Sequence, residues 1–146
     1  MPALVRVTVS TPIRPTEDPA KVEAALRRFF PDADVQRAVD GLKATTSDLQ
    51  PLRSRVWELR IIDTVRGQLL HGLQGYGGPT PPMALAFRLS KQAAAAGKVS
   101  FPPTPHPLGD LAVHVDVEPG DPWKDAEALA MWMCPETKDG EIVGPV

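Results

Sequence analysis

The chain is predicted to fold as an α+β two-layer sandwich, a mostly antiparallel sheet with helices packed on one face. Three observations lead there. The segments MPALVRVTVS and DLAVHVDVE alternate apolar and polar residues, as half-buried strands do. Leu49, Leu52, Val56, Leu59, Ile62, Val65, Leu69 and Leu73 recur at spacings of three and four, the period of one helical face. The element order reads βα-ββ-α-β-(short α)-β-β-α, with short connections that suit antiparallel pairing. At 146 residues the chain reads as one domain, residues 1–146, large enough to bury a core without disulfides or metals.

In order, Ala3–Ser10 is the first strand. Asp18 followed by Pro19 starts a helix, the carboxylate at N-cap and proline at the first helical position, and Pro31 stops it. Asp34–Ala38 and Leu42–Thr46 read as a hairpin turning at Asp40-Gly41. Ser47 or Asp48 caps one long helix that runs to Leu73, with Pro51 in its first turn and Gly72 and Gly75 at its end. Met83–Leu89 is a strand. Ser90 caps a short helix, KQAAAA, closed by Gly97. Lys98–Phe101 is extended, Asp110–Glu118 a strand, and Asp121-Pro122 a second Asp-Pro helix start. Pro135 ends that helix, and the tail from Lys138 is expected to be loosely held.

Composition narrows the function classes. Hydrophobic content of 42% and charged content of 23% are those of a globular protein. There are 17 prolines, most between periodic segments, where they stiffen loops. One cysteine, Cys134, excludes an intramolecular disulfide and fits a reducing compartment. No apolar run is long enough to span a bilayer, so a cytoplasmic protein without membrane association is expected. Net charge is −2 but unevenly spread. Residues 1–109 carry 14 Lys and Arg against 9 Asp and Glu, and residues 110–146 carry 2 against 9. Such asymmetry can mark a basic binding face beside an acidic edge.

Four blocks, PTEDPAKV, RIIDTVRGQLL, SKQAAAAGKVSF with PLGDLAVHV, and WMCPETKDG, resemble in order and spacing an uncharacterised archaeal family described as predicted RNA-binding. The resemblance covers most of the chain. It implies a fold similar to that of the large-subunit ribosomal protein that binds 5S rRNA, and related members have been proposed as exosome-associated. The chain departs from the family pattern at Ser90, where an asparagine is usual, at Ala95 and Ala96, where bulkier residues are usual, and in a longer Pro79–Pro82 loop.

Candidate RNA contacts follow. Lys91, Gln92 and Lys98 bracket the short helix, whose exposed N–H groups attract anions; the alternative is a solvated, capped turn. Arg53 and Arg60 share an exposed helical face with His71, and Arg88 sits near the same strand end. Arginine suits phosphate because its planar fork presents several donors. Asp63 and Arg66, three residues apart, are expected to pair and lock the helix to the sheet. Thr16 and Asp18 read as structural caps. His71, His106, His114 and Cys134 show no metal-ligand spacing, and the glycines form neither a phosphate loop nor a dinucleotide fingerprint. No catalytic residue, metal or cofactor is expected. The leading expectation is a non-enzymatic protein that contacts the RNA backbone, acting in an RNA-processing or ribosome-linked complex. The alternative is a protein–protein adaptor using the Pro-rich loops and acidic C-terminal segment, and a third reading is an anion sensor at Ser90–Gly97.

Overall fold

Alternation in the first strand sends Val7 and Val9 to one side and Thr8 and Ser10 to the other, and the rest of the sheet follows that division. The structure, a computed structural model, describes residues 5–74, 83–102, 109–117, 125–138 and 141–142. Its elements are β1 (Val5–Pro12), α1 (Pro19–Arg27), β2 (Asp34–Ala38), β3 (Gly41–Thr46), α2 (Gln50–Glu58), α3 (Ile62–His71), β4 (Leu73–Gln74), β5 (Ala84–Leu89), α4 (Lys91–Ala95), β6 (Leu111–Val117), α5 (Ala126–Met133), β7 (Thr137–Lys138) and β8 (Glu141–Ile142). Six strands form one antiparallel sheet in the order β2-β3-β1-β6-β5-β4. Val9 lies opposite Ala44 on one side and Val113 on the other. One continuous core joins these residues to Leu26, Leu52, Val65, Leu69 and Leu129 from the helices. Each buried valine or leucine among them contributes about 1.5–3 kcal/mol by leaving water.

The apolar stripe at 49–73 does not form one helix. It is broken into α2 and α3 at Arg60, whose φ is +58°. The break is a Schellman turn. Arg60 N–H donates to Trp57 O (3.2 Å) and Ile61 N–H to Val56 O (3.4 Å), with Arg60 in the left-handed position that glycine usually takes. Because arginine stands there, residue identity gives no stop signal. The N-terminus of α2 also differs from expectation. Leu49 is the N-cap residue, and Asp48 reaches one step inward to accept from Gln50 N–H (2.9 Å).

Other boundaries shift for local reasons. β1 extends through Pro12, because Thr11 and Pro12 pair with Leu42 and Gly41. The β2–β3 turn is Val39-Asp40, not Asp40-Gly41. Gly41 belongs to β3, where a Cβ would collide with the Thr11 carbonyl, so its glycine serves the close approach of β1. Gly72 ends α3 for a similar reason, since a Cβ there would strike the Ala86 carbonyl. Asp125 caps α5 by accepting from Ala128 N–H (2.8 Å), whereas Asp121, Pro122 and Trp123 lie outside the described residues. Lys98–Phe101 adds no strand, although Ser90 N–H donates to Ser100 O (2.8 Å). Lys138, where a loose tail was expected, pairs with Glu141 in the small β7–β8 hairpin.

Arg60→Gly tests the origin of the helix break. An L-residue in the left-handed region costs about 1–2 kcal/mol, and glycine's extra unfolded-state entropy takes back about 0.5–1 kcal/mol. The variant is expected to gain about 0.5–1 kcal/mol in urea unfolding with an unchanged slope. A loss would mean that the Arg60 side chain itself holds the turn.

Candidate nucleic-acid interface

The predicted grip at the short helix begins as expected and then diverges. Ser90 Oγ accepts from Ala93 N–H (3.2 Å), and Gly97 takes φ +75° beyond the last turn. Lys91, however, points inward and is only 3% exposed. Its Nζ donates to Pro12 O (2.7 Å) and to both carboxylate oxygens of Glu17 (3.0 and 3.1 Å). Lys91 is therefore an internal clamp between β1, the loop before α1, and α4, not a phosphate contact. Burial of Glu17 works to raise its pKa, but the Arg14 backbone N–H and the Lys91 ammonium outweigh it and hold the carboxyl below its ordinary range. Gln92 and Lys98 are exposed. Asp18 caps α1 through Ala20 N–H (3.0 Å). Thr16, expected to share that role, is exposed and makes no hydrogen bond among the described residues.

The arginines of the former long helix separate once it is broken. Arg53 lies between two indoles, its Cζ 4.2 Å from the Trp57 ring centre and 4.6 Å from that of Trp132. Its Nε donates to Trp132 O (3.0 Å), and Trp57 Nε1 donates to Met133 O (2.8 Å). Burial lowers the Arg53 pKa, with the nearby Cys134 opposing. Arg53, half-buried, thus docks α5 onto α2 with its guanidinium held between the two rings. Arg60 is exposed on the turn, off the Arg53 face. Arg88 reaches Asp110 (3.5 Å) and remains 41% exposed.

Asp63 and Arg66 do pair (2.8 Å), but they anchor the chain after α5 and not the sheet. Arg66 donates to Cys134 O (3.0 Å) and Pro135 O (2.7 Å), and Thr137 Oγ1 donates to Asp63. The Thr137 hydroxyl and then Arg66 hold the Asp63 carboxyl below its usual range. Cys134 is fully buried, and burial pushes its thiol up to about 12 against the pull of Arg66 and Arg53. Such a thiol stays protonated and unreactive.

A surface that residue spacing alone did not single out lies on the open face of the sheet. Register aligns Gln36, Lys43, Ser10, Ala112 and Arg88 in one row across five strands. The next row is Asp34, Thr45, Thr8, His114 and Ala86. A groove of about 480 Å³ crosses these rows, floored by Thr8, Ser10, Ala86 and Ala112 and flanked by His71 and Arg88. His114, also on the groove, contacts Asp116 (3.1 Å). Small floor residues let a ligand approach the sheet, and the hydroxyl, imidazole, ammonium and guanidinium groups suit phosphate and sugar oxygens. The polar alternation of β1 and β6 was legible, but which residues become neighbours depends on cross-strand register.

Among the described residues no group of three His, Cys, Asp or Glu could hold a metal ion, and no helix is long and apolar enough to cross a membrane. His106, the Pro79–Pro82 loop and residues 118–124 of the acidic segment lie outside the described residues.

A family model described as RNA binding matches residues 6–118. A UPF0201 protein of Thermococcus kodakarensis is 34% identical over 142 residues, covering 92% of this chain and 92% of that protein. One from Sulfurisphaera tokodaii is 30% identical over 146 residues, covering 94% and 92%. The crystal structure of a UPF0201 protein from Methanococcus jannaschii shares the fold with a TM-score of 0.80 at 24% identity, covering 95% of this chain and 99% of that one.

The Lys91–Glu17 clamp gives a stability prediction. Lys91→Ala leaves a partly buried carboxylate without its cation and is expected to cost about 1–3 kcal/mol in urea unfolding, whereas Lys91→Met with Glu17→Leu should recover most of that loss. Because the folded-state pKa of Glu17 is depressed, its contribution is complete above the unfolded carboxylate range and fades as pH falls through the folded value. Acidification should therefore lower wild-type stability more than that of the double variant.

Proposed function

From the premise that the chain belongs to the UPF0201 family and to the family whose model is described as RNA binding, we propose that it is a non-enzymatic protein that holds RNA on the open face of its sheet. The observation that carries this reading is the groove flanked by His71 and Arg88, with Lys43 one row neighbour beyond Ser10. Contact is made mainly to phosphate and sugar oxygens, which fixes register on the strand without reading sequence. The proposal includes an architecture like that of the ribosomal protein that binds 5S rRNA, and a place in an RNA-processing or ribosome-linked complex. A binding role is supported by the character of the groove, where hydroxyl, imidazole and guanidinium groups are dispersed among apolar lining from Phe87, Phe101 and Val113.

Titration of labelled single-stranded and duplex RNAs at several salt concentrations tests this. Affinity should fall by about 0.7 log units per phosphate contact for each tenfold rise in salt for single strands. Lys43→Glu combined with His71→Ala should weaken binding at least about tenfold and flatten the salt slope, while Gln92→Ala leaves both unchanged. Equal RNA affinity of the groove variant and the wild type would remove RNA from this face.

A further inference from the structure

On the helical layer, two guanidinium groups converge beside Gly97. A Cβ built on Gly97 would lie 3.3 Å from Nη1 of Arg28 and 3.4 Å from Nη2 of Arg55, so both donors close on the space that this residue leaves open. Arg28 follows α1, Arg55 belongs to α2, and Gly97 follows α4. The two arginines are far apart in sequence and are brought together by packing alone.

Arg55 is held in place. Its Nε donates to Gly97 O (2.7 Å), which aims the rest of the fork, and its Nη1 reaches Glu58 at the long distance of 3.4 Å. Arg28 is exposed and makes no ion pair or side-chain hydrogen bond among the described residues. Lys98, also exposed, follows directly in the chain. Like charges repel, and no carboxylate stands between the two converging nitrogens among the described residues. The Gly97 carbonyl takes the Nε of Arg55 and leaves the converging donors unused. Oxygens of one tetrahedral anion can bridge two such donors, because charge-assisted N–H···O bonds form at about 2.7–2.9 Å.

We infer that Arg28 and Arg55, with Lys98 beside them, form a site for a phosphate group on the helical layer, distinct from the open sheet face. Its ligand is either free inorganic phosphate or a phosphate carried by RNA, internal or 5′-terminal. Glycine at position 97 is favoured by its φ of +75°, and its missing Cβ leaves the space between the two forks open.

The experiment is titration of the isotopically labelled full chain with inorganic phosphate, following arginine Nε–Hε resonances. Saturable shifts of the Arg28 and Arg55 signals in the millimolar range or below are expected. Arg28→Gln should weaken the effect about tenfold, the loss of one charge-assisted contact, and Arg28→Lys should restore only part because it lacks the fork. Thermal unfolding should be unchanged in both, since Arg28 has no internal partner to lose. Lys43→Glu on the open face should leave phosphate binding intact, which separates failure of this site from failure of the RNA face. Paired RNAs with a 5′-phosphate or a 5′-hydroxyl then identify the source. Equal weakening of both by Arg28→Gln assigns an internal phosphodiester, weakening of the phosphorylated one alone assigns the terminal group, and weakening of neither assigns free phosphate. Absence of saturable shifts in the wild type, or identical titrations for the wild type and Arg28→Gln, would overturn the site.

Discussion

The register of β1 against β3 and β6 constrains the whole molecule. With Val9 set between Ala44 and Val113, the even-numbered residues of β1 must face away from the helices. A slip of one residue would move Val7 and Val9 into water and carry Thr8 and Ser10 into the core. The same register decides which polar residues become neighbours on the open face, so the hydrophobic layer and the candidate interface are two consequences of one alignment. Close contacts enforce it, including the glycine that lets β3 approach Thr11.

Much of the positive charge serves architecture. A proline-rich chain has fewer backbone N–H groups to pair with its carbonyls, and buried carbonyls need donors from somewhere. Lys91 donates to Pro12 O, Arg27 to Ala33 O, and Arg66 to Pro135 O. Arg53 and Arg55 do the same for Trp132 O and Gly97 O. Counting cations along the chain therefore overstates the charge offered to a polyanion. What remains on the surface is smaller, and part of it gathers on the open sheet and at the junction near Gly97.

Local chemistry was readable from residue types where a single position decides the outcome. Asp18 and Ser90 cap the helices they precede, Gly97 closes the short one, and alternation marked β1 and β6. Reading failed where the deciding partner is remote or the residue atypical. Arginine in the left-handed position of a Schellman turn hides the end of α2, since the apolar spacing runs on through it. Lys91 looked like a surface lysine because its partner Glu17 lies 74 residues away. Arg53 looked exposed because α5, which brings Trp132 over it, belongs to the far end of the chain. The open face needed five strands in register before it existed as a surface.

The position of β1 also has a consequence for synthesis on the ribosome. It is made before the other strands of this sheet, yet its second partner, β6, begins at Leu111. β3 can cover one side early, but the other side keeps its N–H and C=O groups unpaired until the chain has grown by some sixty further residues, several seconds at ordinary elongation rates. A nascent chain with an apolar strand edge open for that long is a substrate for holding chaperones and for wrong strand pairing. The alternating threonine and serine of β1 keep one surface of that waiting strand hydrated.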